Sequence, residues 1–181
     1  MTLQVKHNGQ SLDVPGTRRG EPLVRAISQE QIEHESELGL AFEWPSADAD
    51  IDTGDSILTL KNTSENFLVL TGITGIPANV AAIYTYYRGN SETALVGTAV
   101  VGVNINGAFA SQTFKHEVKS DETALADATL TGGFAVSTVE SHEHSLAGHI
   151  LGFNDFIQIN QITECTSGRV VLKGFFIPEL I

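Results

Sequence analysis

Cysteine, positive charge and long apolar runs are all scarce in this chain. With one cysteine in 181 residues, no disulfide can form within the chain and no zinc-finger ligand set can be assembled. That residue, Cys165, sits in "NQITECTSG" between two apolar runs. Glu164 beside it opposes thiolate formation, so it reads as a structural thiol rather than a nucleophile. Lys and Arg number 10 against 22 Asp and Glu, giving a net charge of -12. A surface this acidic argues against nucleic-acid binding, which displaces phosphate counterions with basic side chains, and equally against anionic membranes. It also keeps separate copies apart. No apolar run approaches the ~20 residues that cross a bilayer as a helix. The opening "MTLQVKHNGQ" lacks a cationic start followed by an apolar core, so synthesis and folding in a reducing cytoplasm are expected.

Catalytic signatures are missing as well. Neither phosphate-cradling spacing, GxxxxGK[ST] or GxGxxG, occurs, and "GITGIPAN" has no lysine after its glycines. HExxH and GxSxG are absent, so nothing marks a metalloprotease helix or a serine nucleophile elbow. "ADADIDTGD" places Asp48, Asp50, Asp52 and Asp55 almost as a calcium loop. Its glycine falls one place late, and Thr59 stands where the closing Glu is needed, so it reads as a solvated acidic linker. No repeat of fixed period appears, which disfavours a solenoid or propeller. No catalytic residue and no cofactor is expected.

What the chain does have is β pattern. Charged residues make up 18%, below the usual quarter, beside 41% hydrophobic residues. From Asp55 onward, short apolar-alternating runs are separated by turn signals every ~8–12 residues, with no helical segment between them. "SILTLKNTSENFLVLTGI" reads as strand, turn and strand. In "ANVAAIYTYYRGN", Val80, Ala82, Tyr84 and Tyr86 share one face against Ile83, Thr85 and Tyr87. "ALVGTAVVGVNINGAFASQTFKHEV" reads as a long strand pair hinged at Asn106-Gly107, followed by "KSDETALAD" as an exposed loop. "ATLTGGFAVSTV" is a strand interrupted by Gly132-Gly133. Two strands end the chain, with Ile157 and Ile159 on one face, then Val170, Leu172 and Phe176. The expected fold is all-β: an antiparallel β-sandwich of jelly-roll type with about eight strands in residues 51–181.

Residues 1–50 read as an N-terminal arm. A hairpin is centred on Asn8-Gly9, because both turn positions must tolerate positive φ. "PGTRRGEP" is a linker, and "EPLVRAISQEQIEHESEL" is either a short helix or an extended arm. Arg18, Arg19 and Arg25 gather three of the ten basic residues there. They are candidate partner contacts, with a solvated linker as the alternative.

"VESHEHSLAGHI" holds His142, His144 and His149, three of the six histidines. Histidine is the commonest metal ligand among side chains. Spacing of two would put His142 and His144 on one face of a strand. A cupin-like site needs a Glu three or four residues further on, where Ala147 and Gly148 stand. Three readings remain open: a solvated loop or strand edge, a metal site within one chain, or a contact shared between subunits. Tyr84, Tyr86 and Tyr87 with Arg88 form either a carbohydrate platform or an ordinary packed strand.

Three stretches taken in order, "DTGDSILTLKNTSENFLVLTGI", "AIYTYYRGNSETALVGTAVVGVNINGAFA" and "NDFIQINQITECTSGRVVLKGFFIPEL", resemble small β-sandwich structural proteins of tailed bacteriophages, which decorate or cement the capsid. The resemblance covers roughly residues 52–179. It implies a non-enzymatic virion protein, made in the host cytoplasm, whose partners are copies of itself, as a homotrimer, and the major capsid protein. A tail component is a near variant. The rival readings are a glycan-binding module using the tyrosines and a cupin-like metalloprotein using the histidines.

Overall fold

A computed structural model describes residues 2–7, 10–15, 36, 38–46, 56–76, 80–109, 115–123, 125–162 and 168–177. Within these, the elements are strands apart from one 3-10 turn at Gly107–Phe109. β1 (Thr2–His7) and β2 (Gln10–Pro15) pair as an antiparallel hairpin with His7 opposite Gln10, as the Asn8-Gly9 signal anticipated.

The other strands are β3 (Ala41–Pro45), β4 (Ser56–Asn62), β5 (Phe67–Ile76), β6 (Ala82–Asn90), β7 (Thr98–Ala99), β8 (Val103–Asn104), β9 (His116–Ser120), β10 (Thr129–Val136), β11 (His142–Leu151), β12 (Asp155–Gln161) and β13 (Arg169–Ile177). They form two antiparallel sheets. One runs β10-β6-β12-β4-β9-β7 and the other β11-β5-β13-β3-β8. The fold is therefore all-β and β-sandwich-like. Its strands exceed the expected eight because several are too short to show as runs of alternating residues.

One apolar cluster joins the facing sides of both sheets. The six-stranded sheet contributes Ile57, Leu58, Leu60, Tyr84, Val136, Ile157 and Ile159, and the other contributes Phe42, Trp44, Leu70, Leu172 and Phe176. Alternation explains this choice. Ala82, Tyr84 and Tyr86 are buried while Ile83 is exposed, as the sequence pattern required. Val80 stays outside, half-exposed before the strand begins. A smaller cluster of Ala41, Val69 and Phe175 lies on the opposite face of the five-stranded sheet, on cross-strand partners Val69↔Phe175 and Phe175↔Ala41.

Three expectations need correction. The boundary placed at residue 50 falls too late: β3 pairs with β13, and Trp44 is completely buried in the core, so residues 41–45 belong to the body. Among the described residues, the stretch 94–118 does not form a single hairpin. β7 pairs with β9 in one sheet and β8 pairs with β3 in the other, so the chain crosses between sheets at Val100–Gly102. A Cβ at Gly102 would collide with the Trp44 indole, which is why a glycine sits at the crossing. Asn104 and Asn106 accept the N–H groups of Asn106 and Ala108 through their side chains, giving Asx turns in place of the two-residue hairpin turn.

The third correction concerns "KSDETALAD". Glu122 is 2% exposed, and its Oε2 accepts the N–H groups of Val96 and Gly97, both at 2.7 Å. Beside it, Glu117 Oε2 accepts the Leu95 N–H at 2.9 Å. Lys61, also 2% exposed, donates from Nζ to the Thr93 carbonyl at 2.9 Å. Three charged side chains thus bind the 93–97 loop down on the outer face of the six-stranded sheet. Charge-assisted bonds of this kind are roughly twice as strong as neutral ones.

Replacing Glu122→Ala strands two amides, and we expect a loss of about 2–4 kcal/mol in urea unfolding. Glu122→Gln, which keeps an acceptor oxygen, should recover part of it. Equal losses for both variants would show that the amides find other partners.

Candidate functional site

Two regions combine unusual chemistry with a defined position. The first is the histidine segment, which is an edge strand. β11 borders the five-stranded sheet and pairs only with β5, while β10, joined to it by residues 137–141, borders the other sheet. The sandwich is closed on this side by side chains. His142 and His144 stack on Phe134, with ring centroids 5.9 and 5.3 Å away. Tyr86 contacts both His144 and His149, at 5.5 and 5.9 Å between ring centroids. Tyr86 Oη and His144 Nε2 are hydrogen-bonded at 3.2 Å.

Spacing of two indeed sets His142 and His144 together. His149 reaches the row only through a bulge: Ser145 faces Gly72 and His149 faces Leu70, so three residues of β11 stand against one of β5. An unbroken strand would have turned His149 to the opposite face. Its Nδ1–H donates to the Leu146 carbonyl at 3.0 Å. Arg88, from β6, donates Nη2–H to the Ile150 carbonyl at 2.6 Å, close behind His149.

This is a row of rings in which His142 and His144 share Phe134, and His144 and His149 share Tyr86. Among the described residues, no group of three His, Cys, Asp or Glu side chains is placed to hold a metal ion. The metal reading of His142, His144 and His149 therefore has no such group behind it among the described residues. The carbohydrate platform fails for a related reason. Tyr84 and Tyr86 are core residues, and only Tyr87 of the three is half-exposed.

The second region is the crossing itself. Val101, Val103 and Ile105 point outward at alternate positions while Asn104 is buried, its Nδ2 donating to the Gly39 carbonyl at 2.7 Å. The usual polarity of an exposed strand is inverted here. Val96 and Val101 are the most exposed of the group, at 78% and 79%. Sequence reading missed this region, although a signal was available: from Thr93 to Phe114 the chain carries no charged residue. It also missed His116, whose Nε2 accepts the Trp44 indole N–H at 3.1 Å beneath Gly102.

Arg18, Arg19, Arg25, Cys165 and the aspartates of "ADADIDTGD" lie outside the described residues. Compared with known protein families, with curated proteins and with solved structures, the chain matches none.

The histidine row gives a pH prediction. His149 titrates below its ordinary 6.5, first because burial disfavours the charged ring. The bond to the Leu146 carbonyl works against this, and the Arg88 guanidinium and His144 add to it. The unfolded chain therefore takes up a proton that the native chain resists. The neutral ring's contribution is complete above about pH 6.5 and is lost as pH falls toward the lowered native value. Urea midpoints measured from pH 8 to pH 5 should fall below 6.5, and His149→Gln should flatten that fall. An unchanged profile in the variant would remove His149 as the cause.

Proposed function

We propose that the body is a jelly roll and that the protein is a non-enzymatic virion component of the capsid-decoration type. Support for the topology comes from strand order. With the β1–β2 hairpin left out of the body, and β7, β8 and β9 set aside as an insertion between β6 and β10, eight strands remain. They run β3-β13-β5-β11 in one sheet and β4-β12-β6-β10 in the other. This is the order of two Greek keys folded over each other, in which most successive strands change sheet.

Jelly rolls serve viral shells, lectins and cupins alike, so the site must decide among them. The observation that carries the choice is the filled interior. A cupin works inside its barrel, but Trp44, Tyr84, Leu172 and Phe176 occupy that space here at essentially no exposure. A lectin presents aromatic rings, but Tyr84 and Tyr86 are spent on the core. What the surface offers is a closed body with an inserted, uncharged crossing, which suits work by interface rather than by chemistry. Residues 1–40, with Arg18, Arg19 and Arg25, remain the candidate segment for contact with the major capsid protein or a neighbouring subunit.

The reading predicts that light scattering gives three times the 19.4 kDa chain mass, the closed cyclic homotrimer that the resemblance implies. It also predicts that the purified protein binds shells lacking it and raises their melting temperature. A chain that neither self-associates nor binds shells would overturn it.

A further inference from the structure

We propose that the crossing segment, Val96 to Ile105, is the surface through which one copy of this chain meets another. The assignment rests on the assembly reading above and names the part of the surface that performs it.

Three observations point to this strip. The first is inverted polarity. Side chains alternate apolar-out and polar-in at Val101, Val103 and Ile105, with Asn104 turned inward. Leaving large apolar side chains in water forgoes the stabilisation that their burial would give. Edge positions in a free monomer are normally blunted by charge.

The second is rigidity. The 93–97 stretch is held by Lys61, Glu117 and Glu122, and Asn104 and Asn106 anchor the far end to the Gly39 and Ser36 carbonyls. A pre-ordered strip loses little conformational entropy on docking. The chain thus spends buried charges to fix the backbone beneath exposed valines.

The third is charge, and it selects the occupant. Copies carrying a net charge of -12 repel one another over most of their surfaces. The stretch from Thr93 to Phe114 is where approach sets no carboxylate of that segment against another. Its flanking charges have opposite sign: Lys119 pairs with Ala99 across β7 and β9, and Glu43 pairs with Val103 across β3 and β8. Copies meeting across the strip can set Lys119 against Glu43 instead of like against like. A strongly basic partner would gain nothing from an uncharged strip on an otherwise acidic body.

The test is light scattering on the full chain across a hundredfold concentration range, for the native protein, a V101D/V103D variant and a V101T/V103T variant. Val139→Asp, at an exposed valine in the β10–β11 connection, serves as control. The native chain and V139D should be oligomeric. V101D/V103D should run as the single chain with an unchanged far-ultraviolet spectrum, and V101T/V103T should weaken association at least tenfold. The threonine pair keeps the test alive should the aspartates disturb folding. Oligomers that survive both double variants would overturn this surface while leaving the assembly reading intact. A native chain that stays monomeric throughout and binds no shells would overturn both. A monomeric chain that binds shells, and loses that binding in V101D/V103D, would overturn the self-contact in favour of a heterologous partner.

Discussion

Two sheets can share one dry interior only if the chain closes the gap between them at both sides. That requirement shapes most of what is distinctive here. On one side the closure is covalent: the chain leaves β7 in the six-stranded sheet and enters β8 in the other within a few residues. On the other side β10 hands over to β11, and Phe134, Tyr86 and the histidines fill the seam. Between the seams lies a single cluster built around Trp44, Tyr84 and Phe176. Burying side chains of that size stabilises by roughly 1.5–3 kcal/mol each, enough to dictate the layout of the strands around them.

The two closures differ in chemistry, and so in what they can respond to. The crossing is fixed by glycine at the Trp44 indole and by carboxylates on backbone amides. The histidine seam joins the two sheets through rings, one of which loses its preferred state as protons are added. The side of the molecule held rigidly also exposes Val96, Val101 and Val103. Order there is bought with buried charge, a costly device unless the fixed backbone is needed for contact.

Much of the body was legible in sequence, because alternation is a local signal. β6 is the clearest case: Ala82, Tyr84 and Tyr86 on one face follow directly from the pattern, as do Ile157, Ile159, Val170 and Leu172 in the last two strands. What was not legible depends on distant partners. β3 is five residues long and ends at Pro45 before an Asp-rich stretch, so nothing local separates Trp44 from linker. The crossing looks like a long strand pair until Trp44 and Ser120 are in place to demand Gly102 and Gly97. Glu122 reads as a loop carboxylate until the amides of Val96 and Gly97 arrive beside it. In the histidine segment, spacing gave the pair His142 and His144, but only the bulge against Thr71 brings His149 to the same side.

The central claim is that this sandwich acts through a contact made by its crossing segment. Hydrogen–deuterium exchange followed at two protein concentrations, one dilute and one a hundredfold higher, addresses it without altering the chain. The account predicts that amides of residues 96–105 become more protected at the higher concentration, while those of β10 and β11 do not change. Protection that ignores concentration, or that rises along β10 and β11 instead, would contradict it.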